Sequence, residues 1–286
     1  MLRIIAPLAN GRIALAMGDG RIELWGAFSG ERIGRLPALL DHRQWDPEED
    51  PRMIHAVLAL TDGRLAAGEH DGSIRLWDVP RRRVAATLTG HARQVCSLAL
   101  LPDGRLVSGS RDQTIRIWDI ASAREIACIK TVHIGPIDQL ISLPNERLAS
   151  GCFSCSGMMV WDLRTLARID DIDTPSATLG AFTGLPDGRI ALGYHDHSIV
   201  LIDPDTQRMT RLKSGHTGVI WGLCPLPNAR LASTSNDQTI RVWDLATGGE
   251  IACHQLDFAA GDIALHTDGR IVAASSWDSR LCLLQV

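Results

Sequence analysis

Along this chain the apolar and polar positions form one short phrase, repeated many times. In residues 94–130, "QVCSLALLPDGRLVSGSRDQTIRIWDIASAREIACIK", a mostly apolar run stops at "PDG". There Pro sets φ, Asp bonds its own backbone and Gly supplies φ > 0, so the stretch predicts a turn. "RLVSGS" follows, then a tight turn at "RDQ", then "TIRIWDI". In that last run Ile115 and Ile117 alternate with Thr114 and Arg116, the period of two expected of a strand. After "ASAR" comes a fourth candidate strand, "EIACIK". Four short strands with no helical periodicity predict an antiparallel sheet.

The phrase recurs at a fixed interval. The arginines that close "LANGR", "LTDGR", "LPDGR", "LPNER", "LPDGR", "LPNAR" and "HTDGR" are Arg12, Arg64, Arg105, Arg147, Arg189, Arg230 and Arg270, spaced 52, 41, 42, 42, 41 and 40 residues apart. "SGSRDQTIRIWD" (108–119) and "STSNDQTIRVWD" (233–244) agree at nine of twelve positions, three periods apart. Repetition on this scale belongs to the fold. One small sheet leaves both faces wet, whereas seven stacked around an axis bury each face against a neighbour. The 52-residue spacing places an insertion at about 36–52, "LPALLDHRQWDPEEDP", between the first two units.

A period near 40 with "GH" early and "WD" late resembles the WD-repeat (WD40) β-propellers. Trp-Asp stands at Trp77-Asp78, Trp118-Asp119, Trp161-Asp162 and Trp243-Asp244, and decays to Trp25-Gly26, Ile202-Asp203 and Leu284-Gln285. Gly-His stands at Gly90-His91 and Gly215-His216 and weakens to Val132-His133. The resemblance covers essentially the whole chain. It implies an all-β fold, a seven-bladed propeller of four-stranded antiparallel blades, with residues 1–286 forming one domain. It also implies a buried hydrogen-bond tetrad within a blade: His91, Ser108, Asp112 and Trp118 in the third unit, and His216, Ser233, Asp237 and Trp243 in the sixth. The fourth unit keeps His133, Ser150 and Trp161 without the Asp, while the first two keep Asp19 with Trp25 and Asp71 with Trp77. A Ser, His and Asp together invite a hydrolase reading. A triad recurring at the period of the fold and tied to an indole is better read as a brace.

Strand counting leaves the seventh blade one short. Residues 2–8 align with an innermost strand and "SRLCLLQV" with a third strand, giving 27 strands where seven full blades need 28. The outer strand of blade seven is therefore expected to be missing from this chain. The ring could close on inner-strand packing, an upstream part of a longer signalling product could supply the strand, or a partner could donate one to the open edge. The second is favoured, because bacterial WD-repeat arrays resemble the sensor halves of larger proteins.

In this family the turns between second and third strands gather on one face, and binding usually sits there or on the rim. The residues just before the turn Asp are Gly18, His70, Arg111, His195, Asn236 and Trp277. Trp45, in the acidic insertion, is a further candidate contact. Such mixed chemistry suits a protein or peptide ligand. Two smaller constellations carry less. Cys152 and Cys155 have CxxC spacing, but no second pair is near in sequence to complete a zinc site. In His195-Asp196-His197 the Asp occupies the turn register and the two histidines flank it. No metal and no cofactor is expected.

Composition narrows the class further. Apolar residues are 45% and charged residues 22%, so a packed core is expected. A net charge of −4 and the absence of any basic run longer than Arg81-Arg82-Arg83 argue against nucleic acid as the partner. No segment reaches the ~18 apolar residues of a membrane span. Seven cysteines, mostly inside strand-like runs, look like small buried hydrophobes in a reducing cytoplasm. Two lysines, Lys130 and Lys213, stand against 27 arginines (29 − 2), the coding bias of a GC-rich and so bacterial genome. The expected function is a non-catalytic scaffold or sensor that binds a protein. The alternative is a hydrolase- or lactonase-like propeller enzyme using the central channel, for which the inner strands offer His55, Asp138, Asp262 and His266.

Overall fold

In the computed structural model the described residues are 4–9, 11–17, 20–37, 53–131, 133, 135–152, 157–174, 178–275 and 280–285. They form seven antiparallel sheets, each with its strands in sequence order. The innermost strands of blades 1 to 7 are Ile4–Leu8, Ile54–Ala59, Val95–Leu100, Gln139–Leu143, Leu179–Gly184, Ile220–Leu226 and Ala260–Leu265. Six blades have four strands and blade 7 has three, ending at Leu281–Gln285, so the described strands number 27.

The repeated letters have local physical causes. In each "DGR" the Asp carboxylate folds back on the Arg. Asp103 accepts from Arg105 N at 3.0 Å and from Arg105 Nε at 2.6 Å, and Asp62, Asp187 and Asp268 do the same. Where "PNE" and "PNA" replace "PDG", two successive residues take positive φ, Asn145 and Glu146 at 62° and 54°, Asn228 and Ala229 at 60° and 52°. Both central residues of a type I′ hairpin turn need that conformation. The Asp of each Trp-Asp pair caps the next turn, as Asp119 does by accepting from Ala121 N at 2.8 Å and Ser122 N at 3.2 Å.

The core lies between blades, with one apolar cluster at each of the seven junctions. Trp118 shows the logic: it stands on blade 3 but packs among Ile74, Leu76 and Leu88 of blade 2. Burial of that indole is nearly complete, at 1% exposed. A Trp, a large apolar surface, secures its blade to the preceding one.

The ring closes where blade 7 meets blade 1. Ile5, Ile13 and Leu15 pack with Val272 and Ala274. The Asp262 carboxylate accepts the Ile5 N–H at 2.8 Å and the Ile263 N–H at 2.8 Å. Burial pushes its acid constant up to about 6 against those two hydrogen bonds. The junction of blades 4 and 5 uses a neutral group at the same register, Gln139, which donates to Phe182 O and accepts from Phe182 N. Among the described residues no strand pairs with the outer side of Leu281–Gln285.

Candidate protein-binding face

Two kinds of polar constellation were legible in the sequence, and the fold treats them differently. The first is internal. In blade 3, Trp118 Nε1 donates to Ser108 Oγ at 2.8 Å, His91 Nε2 lies 2.7 Å from the same oxygen, and His91 Nδ1 lies 3.0 Å from Asp112 Oδ2. Because a carboxylate only accepts, His91 carries its proton on Nδ1 and takes the Ser108 proton at Nε2. Blade 6 repeats the chain, with His216–Ser233 at 2.7 Å, His216–Asp237 at 2.8 Å and Trp243–Ser233 at 2.9 Å. Blade 4 makes the shorter chain, His133–Ser150–Trp161, at 2.8 Å and 2.8 Å.

Burial lowers the imidazole constants of His91 and His216 more than Asp112 and Asp237 raise them, so both rings stay neutral. Burial also pushes the two aspartates up, but hydrogen bonds from Thr114, Ala92 and His91, and from Thr239, His216 and Thr217, carry them down to about 2. Ser108 and Ser233 are 0% exposed and already accept an indole N–H. Neither hydroxyl can meet a substrate.

The second constellation opens outward. Four of the predicted face residues are fixed by the same backbone bond: His70 N to Met53 O, Arg111 N to Gln94 O, His195 N to Thr178 O and Asn236 N to Val219 O, at 2.9 to 3.0 Å. Each N–H reaches the carbonyl just ahead of its own blade's inner strand, which aims four side chains alike. Gly18, Trp45 and Trp277 lie outside the described residues.

A further ring of residues on this face was not read from the sequence. In blades 2, 3, 5, 6 and 7 the inner strand begins with a bulge that leaves His55, Cys96, Gly180, Trp221 and Gly261 without a ladder partner. A bulge takes a side chain out of the pleat and re-aims it. His55 Nε2 thereby comes within 3.1 Å of His70 Nδ1. Trp221 Nε1 donates to Asn236 Oδ1 at 2.9 Å, and the indole stands edge-on to His195 of the preceding blade at 5.1 Å. Held on two sides, Trp221 is still 37% exposed. Its signal in the sequence was its register, one residue after the first apolar of the inner strand.

Three stretches of the chain, residues 50–78, 82–119 and 207–244, match the family model described as "WD domain, G-beta repeat". Those three stretches are similar to WD40 repeats. The propeller superposes on the chain titled "Structure of U3-55K" with a TM-score of 0.83, covering 99% of this chain and 94% of that one at 18% identity, a likeness of fold. Among curated proteins it is similar to human "WD repeat-containing protein 36", 30% identical over 119 residues, 41% of this chain and 13% of that protein. "U3 small nucleolar RNA-associated protein 21" of Saccharomyces cerevisiae is 40% identical over 86 residues, 30% of this chain and 9% of that one. "Ribosome biogenesis protein ytm1" of Pyrenophora tritici-repentis is 30% identical over 140 residues, 45% of this chain and 30% of that one. The chain thus spans less than a third of the length of each. All three relatives are eukaryotic, and none supports the bacterial origin expected from arginine usage.

Three of the inner-strand residues that an enzyme reading would draw on have partners of their own. His55 is paired with His70, Asp262 with the Ile5 N–H, and His266 Nδ1 with Asp268 at 2.9 Å. Among the described residues no three His, Cys, Asp or Glu side chains converge as a metal site. His197 takes positive φ at 70° in its turn, as Gln113 and Gln238 do at 64°, so the pair flanking Asp196 is a product of turn geometry. Cys152 is buried, and Cys155 lies outside the described residues.

Proposed function

We propose that this chain is a non-catalytic interaction platform that holds a protein or peptide segment on the face bearing His70, Arg111, His195, Asn236 and Trp221. The observation that carries the proposal is the braced indole of Trp221. A large aromatic that is exposed, yet held by a hydrogen bond and an edge contact, loses little conformational freedom on binding. The net charge of −4 favours a protein over a nucleic-acid partner. Relatives named for ribosome biogenesis and for association with a small nucleolar RNA fit a scaffold within larger assemblies. The proposal keeps the cytoplasmic location and the single-domain organisation of residues 1–286 expected from the sequence.

The test is a random peptide library displayed on phage and selected on the immobilised protein. Selected peptides are expected to lose at least tenfold in affinity for Trp221→Ala, while the melting temperature of that variant stays within a few degrees of the parent. Selected peptides that bind Trp221→Ala and Arg111→Gln as well as the parent would place recognition elsewhere and overturn the proposal.

A further inference from the structure

Resting on the reading of this face as a peptide-binding surface, a narrower conclusion follows for its corner over blades 2 and 3. We infer that His55, His70 and Arg111 form a receptor for a carboxylate, the side chain of an aspartate or glutamate in the bound segment.

The geometry gathers a guanidinium and an imidazole N–H at one corner of the face. The His55 and His70 rings touch at 3.1 Å with centroids 5.3 Å apart, so one proton is shared along that contact; of the two remaining ring nitrogens one carries an N–H that can meet a carboxylate and the other a lone pair. Arg111 is exposed, and its one side-chain bond among the described residues is a long one, Nη1 to Gln94 Oε1 at 3.4 Å. It makes no ion pair among the described residues, although 14 other arginines do.

Among the described residues, three carboxylates on the surrounding elements are already committed. Glu69 is buried against Arg75. Asp71 accepts from Ser73 N at 2.8 Å and Ser73 Oγ at 2.6 Å. Asp112 is the acceptor of the blade 3 tetrad. Burial, then His70, then Arg111 pull the His55 constant down to about 4, so every influence on that ring opposes added positive charge. A carboxylate placed against the three groups removes that opposition and gains charge-assisted hydrogen bonds from a planar guanidinium suited to it.

A defined pair of probes tests the assignment. The acetylated, amidated hexaglutamate peptide and its hexaglutamine counterpart are titrated at low salt, reading the ring resonances of His55 and His70 by NMR. Saturable shifts with hexaglutamate, at least tenfold weaker with hexaglutamine and with Arg111→Gln, are the expected result. Equal response to both peptides, or none to hexaglutamate, would overturn it. So would tighter binding of hexauridylate, since that would make the corner a phosphate receptor. Library peptides that still depend on Trp221 after such a failure would leave the face itself standing, whereas loss of both would remove the two readings together. His70→Gln, which keeps a side-chain polar atom, is expected to weaken hexaglutamate without altering the melting temperature and so separates recognition from folding.

Discussion

Blades 3 and 6 and blades 2 and 5 occupy the same place in the ring with opposite interiors. In blades 3 and 6 a polar chain of Trp, Ser, His and Asp runs through the blade. In blade 2, Ala67 opposes Arg75 where Ser108 opposes Arg116, and Trp77 Nε1 has no hydrogen-bond partner among the described residues. The arginine changes allegiance with it. Arg116 pairs outward with Glu125, whereas Arg75 pairs inward with the buried Glu69, since Val84 stands where Glu125 would be. Blade 5 abandons polarity there, with Leu192 and Ile202 in the Ser and Trp registers and the Tyr194 hydroxyl buried without a partner among the described residues. The wedge shape therefore comes from the apolar junctions, which all seven blades share. The polar interior secures individual blades and can be replaced.

The comparison is broken most severely in blade 2. Glu69→Ala takes away the buried partner of Arg75 and leaves it Asp71 at 4.0 Å, and is expected to cost about 3 kcal/mol in urea unfolding. A loss below about 1 kcal/mol would mean that Arg75 finds water easily and that the ion pair is no substitute for the tetrad. Next come His91→Ala and His216→Ala, each leaving a buried serine hydroxyl proton without its acceptor and an aspartate with one donor fewer, at roughly 1–3 kcal/mol. Unchanged melting temperatures in both would deny the tetrads any bracing role.

The pH dependence sharpens the same contrast. Because burial holds His91 and His216 below their ordinary value, the folded state prefers them neutral. Their contribution is complete above about pH 6.5 and declines as the solution is acidified below it. Asp112 and Asp237, held at about 2, contribute fully above about pH 4 and lose that contribution on further acidification toward 2. Asp262 acts in the other direction, gaining stability as pH falls from about 6 toward 4. The double variant His91→Ala/His216→Ala should therefore show a flatter fall between pH 7 and 5 than the parent; parallel curves would contradict the assignment. The smallest effect is a repair. Ala67→Ser offers Trp77 Nε1 the acceptor it lacks and is expected to stabilise by about 0.5–1 kcal/mol. Destabilisation there would show that the hydroxyl has no proton acceptor of its own in a blade without the histidine.

What the sequence determined by itself was whatever repeats locally: the strands, the turns at "DGR" and "RDQ", the tetrads and the missing outer strand of blade 7. These follow from period-two patterning and from side chains that bond within one blade, so the same letters at the same spacing always meet. Tertiary structure decided the second ring of face residues and the closing of the circle. A bulge is a misfit between two strands, invisible in either alone, and it is what turns His55 and Trp221 outward. The contacts of His195 with Trp221, Gln139 with Phe182 and Asp262 with Ile5 each cross from one blade to the next. The last joins residues 257 positions apart, which only a ring that closes can bring together.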